Sequence, residues 1–254
     1  MLERLDLRRR ARAAGLHLLI SAAVASLAAV LVFGLWYPGP FRLLAGGRDL
    51  FLLVTSVDVV IGPLLTFAVF NVAKGLKHLR RDLAVIGLIQ VAALVYGLHT
   101  VYIARPVAMV FEVDRMQLVT ASDVALDELP KAQPEYRELP LTGPWLLGTR
   151  PPRAGDEHND ALFKGLEGHD VSSRPMFWQP YERSRADALL RSRPLTVLLQ
   201  HYPKESEQIQ RRLSAMKVDA TTGRFLPAIA RGDWIAVLSQ TGDVLGYLPF
   251  DGFF

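Results

Sequence analysis

Three long apolar blocks near the N-terminus constrain this chain more than any other feature. They run from His17 to Trp36, from Leu50 to Phe70 and from Leu83 to Ile103. Each is close to the length of about 20 residues that an α-helix needs to cross the roughly 30 Å hydrocarbon core of a bilayer. We therefore predict a membrane protein with three N-terminal transmembrane α-helices at residues 17–36, 50–70 and 83–103, with the lipid bilayer as one of its partners.

Basic residues are distributed unevenly around these blocks, and they predict an orientation. Residues 1–103 carry 11 Lys and Arg against 5 Asp and Glu, whereas residues 104–254 carry 18 against 20. Positively charged flanks stay in the cytoplasm. The N-terminus and the loop between the second and third blocks are therefore expected inside; their basic residues are Arg4, Arg8, Arg9, Arg10 and Arg12, then Lys74, Lys77, Arg80 and Arg81. Residues 37–49 and 104–254 are then outside.

The same charge balance bears on partners and on the first block. Because the excess positive charge lies in the membrane half, it indicates anionic lipid and no nucleic acid. A basic N-terminus before an apolar block also fits a cleaved signal peptide. The apolar core is longer than such peptides have, however, and "WYPGPF" after it offers no small-residue cleavage site. An uncleaved anchor is favoured.

The second block contains a carboxylate, Asp58, followed by Gly62 and Pro63. A charge at mid-membrane costs about 2.5–3.5 kcal/mol on insertion scales, so Asp58 should face protein or water, or stay protonated. At 1.5 Å per residue from the outer end, Asp58 lies about 12 Å deep. The same count makes Tyr96 and Ser26 its best-matched partners, with His99 within reach. Pro63 lacks a backbone donor, and we expect it to kink the helix.

Three interpretations of these intramembrane polar and helix-packing residues stay open. Asp58 could hold the chain's own helices together, which is the favoured interpretation. It could make a polar contact with a helix of another protein. It could also belong to a proton or ion relay, although one carboxylate in three spans makes a poor pathway. Ala22, Ser26 and Ala29 form a small-residue face along the first block that would let another helix approach closely.

From residue 104 onward the pattern is that of a small α+β domain, which we place at 104–254. "PVAMVFEV", "DR" and "MQLVTA" predict a β-hairpin, and "WIAVLSQTGDVLGYLPF" predicts a second one. Helices are expected at 156–168, at 181–201 with an interruption at Pro194, and at 204–217. The proline-rich stretch from Pro130 to Pro152 is expected to be an irregular loop.

This domain shows no pattern typical of catalysis. His158 and His169 lie eleven residues apart without a recognisable ligand spacing, and the chain has no cysteine. Ser172 and Ser173 follow a "HD" pair but form no nucleophile elbow. No glycine-rich phosphate loop is present. We therefore predict no catalytic, metal or cofactor residues, and a protein that is not an enzyme.

Several strings in order resemble the TfpX/TfpZ family of type IV pilin accessory proteins. They are "HLLIS", "WYPGPF", "DVVIGPLLTFAVFN", "LRRDLAVIGLIQVAALVYGLHTVY" and "RPVAMVFEVDR", and they cover residues 15–120 well. The resemblance implies a multi-pass protein of the bacterial inner membrane with a periplasmic C-terminal domain. It also implies a chaperone-like factor that assists or modulates the stability or assembly of its cognate major pilin. That pilin would offer its transmembrane helix and its periplasmic head; the oligomeric state is left open.

Two other functional classes, a sensor and a membrane enzyme, fit the sequence less well. A membrane-anchored sensor would need a cytoplasmic output module, and the predicted topology leaves only about 16 N-terminal residues and one short loop inside. A membrane enzyme should bring several carboxylates or histidines to one interface, and Asp58 with His99 does not meet that standard.

Overall fold

The computed structural model describes residues 2–71 and 75–254, with side chains from residue 6 onward. Lys74 and the side chain of Arg4, used above to predict orientation, lie outside the described residues. The chain forms two compact units. One comprises Met1–Trp36 and Gly46–Ala104, and the other comprises Tyr37–Ala45 and Arg105–Phe254.

The first unit consists of three long helices. Helix α1 spans Leu2–Leu31 and continues through a π-helical turn at Val32–Trp36. The next helix, α2 (Phe41–Leu44), is short and belongs to the other unit. The second long helix consists of α3 (Gly47–Ser56), a second π-helical turn (Val57–Ile61) and α4 (Gly62–Val69), and the third is α5 (Leu76–Ile103). Three helices are long and apolar enough to cross a membrane, at Asp6–Trp36, Gly47–Val69 and Leu76–Ile103. The three predicted segments are confirmed as helices, although the first and third are longer than predicted, at 31 and 28 residues. Their insertion into a bilayer stays a prediction.

The π-helical turn in the second long helix explains how Asp58 is accommodated. Pro63 is within the first two residues of α4, directly after Val57–Ile61. Proline has no N–H to donate to the carbonyl group one turn earlier, so the regular hydrogen-bond ladder is interrupted there. A π-helical turn is one of the few irregularities that an apolar helix tolerates. The irregularity expected beside Asp58 therefore takes this form.

The second unit is built on one mixed eight-stranded sheet. Its strands are β1 (Pro106–Glu112), β2 (Arg115–Thr120), β3 (Trp145–Thr149), β4 (Trp178–Pro180), β5 (Arg193–Pro194), β6 (Arg224–Ala230), β7 (Gly232–Leu238) and β8 (Val244–Leu248). The order is β4-β3-β1-β2-β6-β7-β8, with β5 paired to β6. The pairs β1–β3 and β2–β6 are parallel, and the other pairs are antiparallel.

Besides α2, four α-helices accompany this sheet in the described residues, and they lie close to where the sequence placed them. They are α6 (Asp156–Leu166), α7 (Tyr181–Arg191), α8 (Leu195–His201) and α9 (Ser206–Ala215). Both predicted hairpins form, as β1–β2 and β7–β8. The expected break at Pro194 separates α7 from α8. The stretch from Pro130 to Pro152 is not entirely irregular, because it contains the 3₁₀ turn Pro134–Tyr136 and strand β3.

The core of the second unit includes a segment that lies between the first two apolar blocks. Leu44, in α2, is fully buried in a cluster with Met109, Phe111 and Leu226. Its carbonyl oxygen accepts a hydrogen bond of 2.8 Å from the Arg231 backbone N–H. The ring of Phe41 lies 5.8 Å from that of Tyr247. Residues 37–45 are therefore a structural part of this unit and not a free connection.

Candidate functional site: a polar cavity between three helices

A cavity of about 190 Å³ opens among the three long helices of the first unit. Helix α1 packs against α4, and α5 packs against both α3 and α4, so that the second long helix forms the floor between the other two. The lining is apolar except for a few polar groups on this floor and the two walls. It consists of His17, Ile20, Ser21, Val24 and Ala25 of α1; Thr55 and Asp58; and Gly87, Gln90, Val91 and Leu94 of α5.

Asp58 is the central polar group of this cavity. Its side chain belongs to a residue only 9% exposed, and its Oδ1 atom is buried with no hydrogen-bond partner among the described residues. The helical stretch Gly47–Val69 places eleven residues on either side of Asp58. Asp58 thus lies at the middle of this helical stretch.

Gln90 is the group that reaches across from α5. Its Nε2 donates to the backbone carbonyl oxygen of Asp58 at 3.2 Å. Gly62 makes room for this contact, since a Cβ atom there would lie 2.1 Å from Gln90 Nε2. The glycine in the second apolar block therefore has a packing role, and Gln90 satisfies a carbonyl in the π-helical turn.

His17 and Ser21 are the polar residues that α1 contributes to the lining. The His17 Nδ1 lies 2.5 Å from the hydroxyl oxygen of Thr66, a residue buried in α4. The direction of that hydrogen bond depends on the tautomer of the imidazole. Thr55, on the cavity floor, donates its hydroxyl to the carbonyl oxygen of Phe51 at 2.8 Å. The His17 and Thr55 side chains each have a partner, in contrast to Asp58 Oδ1.

The partners predicted for Asp58 from depth are not the ones that the structure brings to it. Tyr96 is 74% exposed, His99 is also exposed, and Ser26 donates to the carbonyl oxygen of Ala22 in its own helix at 2.8 Å. None of them lines the cavity. Depth gives only the position of a residue along the helix axis, whereas its contacts also depend on the face of the helix on which it lies.

Helical geometry accounts for this correction. Ser26 lies nine residues from His17, which is about two and a half turns at 3.6 residues per turn and so the opposite face of α1. Tyr96 lies six residues from Gln90, about one and two-thirds turns, and also points away. The sequence signal that was missed is the angular position of His17 on α1 and of Gln90 on α5, since both residues lie on the helix face toward Asp58.

The second unit contains a cluster of ion pairs around Arg174. Arg174, about 1% exposed, donates from Nε and Nη2 to the buried carboxylate of Glu128 at 2.7–3.1 Å, and from Nη2 to Asp160 at 2.6 Å. His158 and His169 are exposed. Within the described residues no group of three or more His, Cys, Asp or Glu could hold a metal ion. Asp160, itself half exposed, thus belongs to an ion cluster around the buried pair Arg174 and Glu128 that its position in the sequence does not reveal.

Similarity to known proteins extends over nearly the whole chain. The family model described as fimbrial assembly protein FimB matches residues 5–46. The fimbrial assembly protein of serogroup I from Dichelobacter nodosus is 34% identical over 96% of this chain and 96% of its own length. The serogroup E1 protein of the same organism is 33% identical with the same coverage. No solved structure matches the chain at a significant level.

Proposed function

Because the chain belongs to the FimB family of fimbrial assembly proteins, we propose that it assists the biogenesis of type IV fimbriae from the bacterial inner membrane. The observation that carries this proposal is the similarity over 96% of both chains to a fimbrial assembly protein. Such coverage includes all three long helices and the α+β unit. The whole architecture, and not one shared segment, is therefore common to this chain and its relative.

The narrower part of the proposal is a chaperone-like role of the TfpX/TfpZ type toward one cognate major pilin. Subunits of such fibres wait in the inner membrane, each held by one apolar helix with its head outside. A protein with an apolar helical unit and a separate α+β unit has one surface suited to each part of the subunit. We propose that the helices contact the pilin helix and that the α+β unit, in the periplasm, contacts the pilin head.

No catalytic step is part of this proposal. The polar groups described above are hydrogen-bond and ion-pair partners, and Asp58 is a lone carboxylate in an apolar cavity. A role in holding and presenting a subunit requires binding surfaces and no reacting group.

The test is deletion of the gene in its own bacterium, with surface fimbriae and the amount of major pilin in the membrane measured together. We expect loss of fimbriae, restored by the intact gene, and a lowered level of pilin if the protein stabilises the waiting subunit. Deletion of an unrelated three-helix membrane protein is the control. Normal fimbriation and a normal pilin level in the deletion strain would contradict the proposal.

A further inference from the structure

The groove between α1 and α5 contains a hydrogen-bond acceptor that the fold leaves unused. Asp58 lies on the groove floor and is nine-tenths buried, and its Oδ1 has no partner among the described residues. The Gln90 side chain bonds to the Asp58 carbonyl and to its carboxyl group, which still leaves Oδ1 without a partner among the described residues. His17 Nδ1 points into the same region but is bonded to Thr66. A buried acceptor without a donor is costly and calls for an occupant.

The walls of the groove determine the shape of that occupant. Small residues line both sides, with Ser21 and Ala25 one turn apart on α1 and Gly87 on α5. Small residues at this spacing let another helix approach the backbone closely. Nothing lies within 4 Å of a Cβ atom built on Gly87, so its wall is open at that position.

The polar group on the groove floor further restricts which molecules could occupy the groove. A lipid acyl chain could fill the apolar walls, but it carries no donor for Asp58. Residues of the chain's own helices that could donate, such as Ser26 and Thr100, bond to carbonyls of their own helices at 2.8 and 3.0 Å. The occupant that fits both the walls and the floor is an apolar helix with one hydrogen-bond donor or amine at the level of Asp58.

We propose that this groove is the docking site for the single apolar helix of the fimbrial subunit, with a donor on that helix bonded to Asp58. The inference rests on the proposed function and adds to it the surface and the polar contact. The three helices then act as an incomplete bundle that the subunit helix completes.

The test uses a photo-crosslinking amino acid at matched positions in the full-length protein in its native membrane. Val91 lines the groove and Ile89 does not, although they are 60% and 63% exposed on the same helix. Ile20 and Leu19 form an equivalent pair on α1, at 56% and 69% exposed. We expect Val91 and Ile20 to capture the major pilin, with the crosslinked peptide in its apolar helix, and Ile89 and Leu19 to capture none.

Asp58 is then varied with the crosslinker at Val91. Asp58→Leu is expected to lower capture by about five- to thirtyfold, since it removes one intramembrane hydrogen bond. Asp58→Asn keeps an acceptor oxygen in place and is expected to retain capture. All yields are divided by the amount of the protein in the membrane, so that a folding defect is not counted as lost binding.

Several results would overturn the inference. Capture of a second copy of this chain, or of lipid alone, at Val91 and Ile20 would assign the groove to another occupant. Equal capture at groove and control positions, or equal loss with Asp58→Asn and Asp58→Leu, would exclude the specific contact. If these occur while gene deletion still abolishes fimbriae, the docking site is wrong and the proposed function stands. If deletion leaves both the fimbriae and the pilin level normal, both are wrong.

Discussion

At the scale of single residues, Gly97 sets how closely α5 approaches the second long helix. A Cβ atom at Gly97 would lie 2.2 Å from Val54 Cγ1 and 3.1 Å from Val54 Cβ. Valine is stiff about its first side-chain torsion and cannot turn both methyl groups aside. The obstacle at Gly62 differs, because there the nearest atom is the mobile end of Gln90. Gly97 is thus the less tolerant of the two positions.

Gly97→Ala is expected to destabilise the helical unit by about 1–3 kcal/mol through overpacking. Gly87→Ala on the same helix is the matched control, since nothing lies within 4 Å of its built Cβ atom. The control should be neutral or stabilising by up to about 1 kcal/mol, because alanine is the better helix former. Thermal denaturation of both variants in the same detergent checks this. Equal melting temperatures would contradict the close contact.

Glu157 provides a pH-dependent contribution in the α+β unit. Its carboxylate accepts hydrogen bonds from Arg150 at 2.7 and 3.1 Å and from the Arg153 backbone N–H at 2.6 Å. These bonds lower the pKa of Glu157 from 4.5 to about 2. Since the folded carboxyl binds its proton less tightly than the unfolded one, its stabilisation is complete above about pH 4.5 and is lost as the pH falls through about 2.

Glu157→Gln is therefore expected to destabilise the α+β unit by about 1 kcal/mol at pH 7, the size of a partly exposed ion pair. The difference from the wild type should shrink between pH 4.5 and 2. Tryptophan fluorescence during thermal unfolding of the full chain, recorded at several pH values, measures it. Glu167→Gln, just beyond the other end of α6, is the control. A difference that stays constant down to pH 2 would rule out the ion pair as its source.

At the scale of elements, α2 is the clearest case of a segment whose role depends on distant partners. Leu44 is fully buried in the core of the α+β unit, whereas its neighbour Leu43 is 46% exposed. Leu44→Ala should cost about 2–5 kcal/mol, as for other large-to-small core substitutions, and Leu43→Ala should change stability by less than about 0.5 kcal/mol. Protease resistance of the α+β unit in the full-length protein distinguishes them. Similar losses in both variants would show that residues 37–45 pack elsewhere.

The elements that the sequence predicted are those with a strong local pattern. The three long helices follow from uninterrupted apolar runs, and the β1–β2 and β7–β8 hairpins follow from alternation around short turns. Strand β6 escaped prediction because Pro227 sits within it, and β4 has only three residues. Both strands pair with strands that are distant in the sequence, and such long-range pairing leaves no local signal.

The candidate site was predicted only in part for a similar reason. Asp58, Gly62 and Pro63 stand out from their apolar surroundings, and the structure places all three in or beside the π-helical turn. Which residues face Asp58 depends on how α1 and α5 are rotated about their axes. Counting residues from the helix end gives the depth of a side chain but not the direction in which it points. The prediction therefore selected Tyr96 and Ser26 in place of Gln90 and His17.

At the scale of the whole molecule, the two chain segments that form the α+β unit bear on the membrane topology. Residues 37–45 and 105–254 form one compact unit, so both must lie on the same side of any membrane that the protein spans. The chain between them contains two of the three apolar helices, Gly47–Val69 and Leu76–Ile103. Two crossings return a chain to the side on which it started. This connectivity is consistent with crossings by both the second and the third helix, and it does not bear on the first.

Cysteine labelling can test both the arrangement and its orientation, because the chain contains no cysteine. We expect Arg42→Cys and Leu166→Cys to react with a membrane-impermeant maleimide in cells whose inner membrane is intact. Both positions are exposed, Leu166 at 87%. Lys77→Cys, in the basic flank between the second and third helices, should react only after that membrane is opened. The expectation follows from the rule that basic flanks stay in the cytoplasm.

The pattern of labelling tests the connectivity of the helices and their orientation separately. If Lys77→Cys reacts in intact cells while the other two do not, the connectivity is right and the orientation is reversed. If Arg42→Cys and Leu166→Cys react on opposite sides, residues 37–45 cannot belong to the core of the α+β unit in the membrane. The Leu44→Ala variant should then be as stable as Leu43→Ala, so the two measurements must agree. An orientation with all three sites outside would leave the second and third helices as a hairpin that does not cross, and the groove at Asp58 would then face a different environment.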